Sequence, residues 1–413
     1  MKILWLINIM LPSVSEYYNV QKTNICGWLV DLSSELPKHE KLVVCYPDLQ
    51  KRMTEIDGVK YYGISDTVKH SDWKRAKVEL EEILKSEKPD VIHVWGTEKI
   101  HSYAIVEAAY EVGYLEKVVI SIQGLVSVYS KHYMANLPWY VQVGATWRDI
   151  FRRDTLITEQ KEMSSRGDFE KKALQKVKHV IGRTSWDYIC TKIENPEVDY
   201  HFNNEILRSS FYENRWELDN CERHTIFVSQ AQYPIKGFHF VLDAVGILKD
   251  KYPDLQVYVA GSRSPFVVDF KPMWYTKYLT KKAKKLGIYN HIHYVGNLSE
   301  KQMCEQMLKA HVFVSPSVIE NSPNSVGEAM LLGIPTIASY VGGTRDMLID
   351  GVDGYLYQYD APYMLAGYLD EMFSNDKQAI DFSKAASKHA RDTHNPDKNY
   401  RDLINIYRSI GGY

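Results

Sequence analysis

The sequence predicts two doubly wound parallel α/β sheets, each covered by helices on both faces. Short apolar runs of strand length alternate with stretches of helical periodicity, the pattern of parallel strands buried on both sides. The length, 413 residues, suffices for two domains with separate cores. No run approaches the roughly 18 apolar residues of a spanning helix.

The first series of strands is expected at 3–8, 41–46, 60–64, 91–95, 118–123 and 179–183. A second series is expected at 225–230, 256–260, 292–295, 312–315, 336–338 and 355–357. Residues 212–223 are polar and lack a strand pattern, so the join is placed there. This gives a first domain over 1–215, a second over 216–395 and a terminal helix within 396–413. In that helix Leu403, Ile404, Ile406, Tyr407 and Ile410 are the apolar positions.

Lysine plus arginine number 50 and aspartate plus glutamate 52, for a net charge of −2, which excludes a nucleic-acid partner held by bulk electrostatics. Cysteines at 26, 45, 190, 221 and 304 are scattered and odd in number, so a reducing, cytoplasmic setting is expected. The start, Met1 to Ser15, superficially resembles a short signal peptide. Its apolar stretch is broken at Asn8 and reads better as a buried first strand. Asn8-Ile-Met-Leu-Pro12 also lacks the glycines of a dinucleotide fingerprint.

Open parallel sheets bind ligands beyond the carboxyl ends of their strands, so the loops there, and the cleft between two such domains, are the expected site. The densest signal is Glu320-Asn-Ser-Pro-Asn-Ser-Val-Gly-Glu328. Ser322 is expected as N-cap and Pro323 as the first helical residue, which sets the amides of Asn324 and Ser325 at a helix terminus suited to phosphate. The helix should end at Gly333, before Pro335. Glu320 on the approach loop and Glu328 inside the helix can then hold different hydroxyls of one ligand. Lys236-Gly237 follows a strand, with the lysine suited to a diphosphate and the glycine to a close backbone turn. Gly261 marks a similar turn after 256–260. In the first domain Gln123 ends one strand, Glu98 follows Trp95 at the end of another, and His132 lies eight residues after Gly124, the candidates there for contact with a second substrate. No Asp-x-Asp occurs, and His291 with His293 have no further ligand at a recognisable spacing, so no metal is expected.

These motifs resemble those of the retaining glycosyltransferases of family 4. Glu320 to Glu328 is similar to its Glu-x7-Glu signature, Gly342-Gly343 to its Gly-Gly loop, and Phe227 to Gly237 to its strand-to-loop segment ending in Lys-Gly. Val257 to Ser262, Tyr294 to Asn297 and Val312 to Ser317 follow in the family's order. The resemblance covers most of 225–360 and implies the GT-B fold, with a last helix that usually returns to the first domain; the helix at 400–410 fits that course and equally fits a cap on the second domain. It implies that Glu320 and Lys236 serve catalysis, Glu328 the ribose, and the Gly342-Gly343 loop the sugar or its phosphates. Two positions depart from the family. Ala231 stands where an arginine is usual, leaving Arg263 as a chemical substitute, and Gln123 stands where many relatives have histidine. Glutamine cannot accept a proton as a base, but retaining transfer in this family is thought to need none.

The expected activity is metal-independent, retaining transfer from a nucleoside diphosphate sugar, uridine or guanosine undecided, to a saccharide or lipid-linked saccharide. Bacterial surface or capsular polysaccharide assembly is the expected setting, and no cofactor is expected. A GT-B sugar-nucleotide epimerase and a non-catalytic sugar-nucleotide-binding partner of an active transferase are the alternatives. From 148 to 183, ten basic residues face six acidic ones. Solvated helix faces explain this, and peripheral contact with anionic lipid at the inner face of the membrane is the other reading.

Overall fold

The computed structural model describes residues 1–20, 28–67, 72–268 and 270–413; Cys26 lies outside them. The chain forms two compact units, one of Met1–Val128, Met163–Ile206 and Asn395–Tyr413, the other of Tyr129–Glu162 and Leu207–His394.

The first unit holds β1 (Lys2–Leu6), β2 (Lys41–Pro47), β3 (Met53–Ile56), β4 (Val59–Ile64), β5 (Val91–Trp95), β6 (Val118–Ser121), β7 (His179–Gly182) and β8 (Asp199–Phe202). They lie in the order β3-β4-β2-β1-β5-β6-β7-β8. All pairs are parallel except β3 with β4. The period of two along β1 feeds both faces: Ile3, Trp5 and Ile7 enter one core, and Leu4 and Leu6 the other. The sequence reading missed β3 and β8. β3 turns into β4 at Asp57 and Gly58, with φ of 51° and 78°, the left-handed pair of a two-residue hairpin. β8, Asp-Tyr-His-Phe, is a half-exposed edge whose polar residues hide the strand pattern.

The terminal helix, Pro396–Gly411, packs in this unit through Leu403, Ile404 and Tyr407. Its anchor is polar as well as apolar. The Trp5 indole N–H donates to the Tyr407 hydroxyl at 3.1 Å, which lies 2.5 Å from His93 Nδ1, and His93 Nε2 lies 2.7 Å from the Ser121 hydroxyl. Burial holds His93 well below its usual pKa, so the ring is neutral and donates through one nitrogen while accepting at the other.

The second unit holds β9 (Glu222–Val228), β10 (Gln256–Ala260), β11 (Ile292–Gly296), β12 (Ala310–Ser315), β13 (Thr336–Ser339) and β14 (Tyr355–Tyr357). Their order is β11-β10-β9-β12-β13-β14, all parallel. The units divide the chain differently from the expected boundary at 215, because Tyr129–Glu162 groups with this sheet. The buried Asp149 carboxylate accepts the Trp274 N–H at 2.9 Å, and the Ala135 carbonyl lies 3.0 Å from His239 Nε2. Contacts of this range leave no local sequence pattern. Among the described residues no helix is long and apolar enough to cross a membrane.

Candidate functional site

In the second sheet the chain steps from β9 to β10 on one side and later crosses to β12 on the other. Beyond the carboxyl ends of β9 and β12 lies the switch point where such sheets take ligands. The loop after β9 brings Lys236 there and the loop after β12 brings Glu320, and Lys236 Nζ lies 2.9 Å from Glu320 Oε2, both half-buried. The two loops are stitched by the Val318 N–H donating to the Ile235 carbonyl at 2.8 Å. Gly237, at φ 67°, allows this approach, since a Cβ there would lie 1.8 Å from the Pro316 carbonyl oxygen.

A third loop, after β13, closes on the same point. The Gly343 N–H donates to the Glu320 carbonyl at 3.1 Å, and a Cβ on Gly342 would sit 1.9 Å from that oxygen. Three of the expected residues, Lys236, Glu320 and Gly342, thus meet around one backbone segment. Gly342 also has φ 50°. Gly342→Ala should therefore lower stability by about 1–3 kcal/mol from the backbone conformation alone, with the overlap adding to it. Chemical denaturation checks this, and a variant as stable as the parent would mean that the loop relaxes away from Glu320.

The helix Asn324–Leu332 begins one residue later than expected. Pro323 has φ −69° and ψ 115°, an extended ψ that makes it the cap, so Ser322 precedes the cap and does not serve as one. Asn324 and Ser325 remain the first two helical residues, ahead of the bond from the Val326 N–H to the Pro323 carbonyl at 2.9 Å. The helix stops as expected at Gly333, φ 79°.

Glu328 lies inside this helix, 3% exposed, and both its oxygens are held by Arg208, Nε and Nη2 each at 2.6 Å. Burial pushes the Glu328 carboxyl above its ordinary range, and the guanidinium pulls it back. Sequence reasoning missed Arg208, since nothing local ties it to a glutamate 120 residues on. It missed Gln232 too, whose Oε1 accepts the Ser262 N–H at 3.1 Å and the Ser262 hydroxyl at 3.3 Å, fixing the turn at Gly261, φ 139°. Arg263 is exposed, with its Nη1 3.2 Å from the Met273 sulfur, and Ala231 is buried.

The first sheet has its own switch point, between β1 and β5. Asn8, just past β1, donates through Nδ2 to Glu98 Oε2 at 3.0 Å, and His101 Nε2 lies 2.8 Å from Asn8 Oδ1. Burial raises the Glu98 carboxyl pKa. Asn8 and His101 were not foreseen, although the polar break at Asn8 in an apolar strand was the available signal. Gln123 is half-buried and donates to Glu205 Oε1 at 2.6 Å, and Arg183 lies 2.8 Å from Glu205 and donates to Gln123 Oε1 at 3.4 Å. His132 is exposed, at the end of the helix Val126–His132, and belongs to the second unit. His291 Nδ1 meets the Leu255 backbone carbonyl at 2.7 Å and His293 Nε2 the side-chain Oε1 of Gln256 at 2.6 Å. Among the described residues no three His, Cys, Asp or Glu side chains are grouped to hold a metal ion.

Residues 210–389, within the second unit, match the family model of glycosyl transferases group 1. The chain is similar to the D-inositol 3-phosphate glycosyltransferases of Corynebacterium urealyticum, 27% identical over 186 residues, and Streptomyces avermitilis, 30% identical over 169 residues. These matches cover 45% and 40% of this chain, and 42% and 35% of the relatives' length. In structure the chain is similar to sucrose-phosphate synthase from Thermosynechococcus elongatus, with a TM-score of 0.71 at 13% identity over 99% of both chains. It is also similar to Anabaena Alr3699/HepE in complex with UDP and glucose, with a TM-score of 0.69 at 13% identity over 99% of this chain and 100% of that one. At such identities the likeness is one of fold, and the fold is GT-B.

Proposed function

We propose that the protein transfers a sugar from a nucleoside diphosphate sugar to a saccharide or lipid-linked saccharide, with retention at the anomeric carbon and without a metal ion. The observation that carries this reading is the Lys236–Glu320 pair at the second sheet's switch point, backed by the Gly342-Gly343 loop. The match of 210–389 to group 1 glycosyl transferases supports it, as does the UDP and glucose bound to the Anabaena protein of like fold. Lys236 and the amides of Asn324 and Ser325 neutralise the diphosphate, Glu320 accepts from hydroxyls of the sugar, and Glu328, oriented by Arg208, accepts from the ribose. Each carboxylate oxygen has two lone pairs, so the guanidinium bond and a ribose hydroxyl are compatible. In the reacting complex the bond from the anomeric carbon to the diphosphate breaks, the bond to the acceptor oxygen forms on the same face, and the acceptor proton passes to a phosphate oxygen. Orientation and charge stabilisation supply the rate. Polysaccharide assembly in the cytoplasm is the setting we propose.

The test is incubation with uridine and guanosine diphosphate sugars and a panel of saccharides in excess chelator, with the first product read by proton NMR. Transfer with the donor's configuration kept is the expected result. An inverted product would sink the mechanism, and activity restored only by magnesium or manganese would sink the metal-free reading. Epimer formed from donor alone would identify an isomerase instead.

A further inference from the structure

Half of the basic residues in the run from 148 to 183 are paired with carboxylates where they stand. Arg148 pairs with Asp149 and Asp154, Lys171 with Glu194, Lys176 with Glu107, Lys178 with Glu116, and Arg183 with Glu205. The surface of the second unit where that run begins is unusual in another way. Within thirteen residues Trp139, Tyr140, Val143, Trp147, Ile150 and Phe151 are all exposed, Trp147 at 89% and Phe151 at 90%.

The local fold turns them outward. The helix Trp147–Arg152 is capped by a reciprocal pair, the Thr146 hydroxyl accepting the Asp149 N–H and the Asp149 carboxylate accepting the Thr146 N–H. Asp149 is buried and also accepts the Trp274 N–H, so the polar side of this helix faces the protein. Positions 147, 150 and 151, spaced i, i+3 and i+4, share the opposite face and meet solvent. That is the reverse of an ordinary surface helix. Exposed Arg152 and Arg153 end it. Gly144 lies against the Trp274 indole, which opens the helix Trp274–Leu286. That helix carries five lysines and no carboxylate. Lys277, Lys281, Lys284 and Lys285 are exposed, and Lys282 is paired with Asp243.

We infer that this surface docks on an anionic lipid bilayer, with Trp147, Phe151 and their neighbours entering the headgroup boundary and the adjoining lysines and arginines meeting the lipid charge. Exposed aromatic side chains with cations at the end of their own helix and on the helix that contacts it fit that environment. A second copy of the chain fits it less well, because a symmetric contact would bring the same lysine-rich edge toward its image. The inference does not depend on the sugar-transfer reading, since its test measures binding and not activity.

The experiment is co-sedimentation of the full chain with vesicles of phosphatidylcholine alone and of phosphatidylcholine mixed with phosphatidylglycerol. Binding is expected only to the anionic vesicles and should weaken as salt is raised. Lys277→Gln and Lys281→Gln should each weaken it about fivefold, and Trp147→Ser with Phe151→Ser should weaken it about tenfold or more. Circular dichroism of these surface variants should match the parent. Failure of the parent to bind anionic vesicles would overturn the inference, as would binding indifferent to both sets of substitutions. A dimer in light scattering that Trp147→Ser with Phe151→Ser abolishes, with no vesicle binding, would assign the surface to a second copy.

Discussion

Arg208→Ala should lower the stability of the protein by about 3–5 kcal/mol, the cost of leaving one member of a buried ion pair uncompensated. The guanidinium holds both oxygens of Glu328, which is 3% exposed in the middle of its helix. Without it the carboxylate keeps the penalty of burial and loses its counterion. Its folded-state pKa then moves further above the ordinary 4.5, in the direction that burial already drives it. The sign follows from linkage: a carboxyl with a raised folded pKa favours the folded state below the unfolded value and loses that contribution as pH rises through the folded one. The deficit of Arg208→Ala should therefore be smaller at about pH 5 than at about pH 8. Adding Glu328→Gln should recover part of it, because an amide carries no charge to strand. Urea titrations of the parent, the single and the double variant at both pH values decide this. A deficit unchanged by pH and by the second substitution would mean that Arg208 acts through packing over Phe211, whose ring its guanidinium covers at 4.8 Å, rather than through Glu328.

The architecture was legible from sequence because its signal is local. All twelve expected strands form, since a parallel strand buried on both faces is a short apolar run wherever it occurs. β8 escaped because an edge strand need not be apolar, and β3 because it is four residues long with one buried position. The cap of the helix Asn324–Leu332 was displaced by one residue, a matter of the ψ at Pro323 that residue preference does not fix. The candidate site was legible as a set of loops, because loops that follow strands converge at a switch point by topology alone. Its pairings were not. Arg208 on Glu328, Asn8 on Glu98 and Arg183 with Glu205 beside Gln123 join residues between 22 and 120 positions apart, and no spacing rule reaches that far.

Lys236→Ala should cost the proposed transfer reaction on the order of 10²–10³ in kcat, the scale of removing one preorganised group from a site of developing charge. The argument starts from the ion pair. The ammonium sits 2.9 Å from Glu320, half-buried at the second sheet's switch point. A diphosphate entering there offers more negative charge than one carboxylate, and its share grows as the sugar departs. The lysine's interaction is therefore stronger in the transition state than in the ground state, which places its effect on kcat rather than on KM alone. Loss of a charged hydrogen bond should also weaken the diphosphate itself, by about 1.5–3 kcal/mol. Glu320→Ala should instead lower turnover with a smaller effect on diphosphate binding, since its proposed partner is the sugar, and Glu328→Ala should weaken the diphosphate through the ribose. Gln123→Ala should slow the reaction less than Lys236→Ala, because an amide neither accepts the acceptor proton nor carries charge to the leaving group. Titration calorimetry with the diphosphate, beside single-turnover rates for the same variants, separates these effects. If Lys236→Ala raised KM and left kcat intact, the lysine would bind donor and transition state equally, and the leaving group would have to draw its stabilisation from elsewhere in the site.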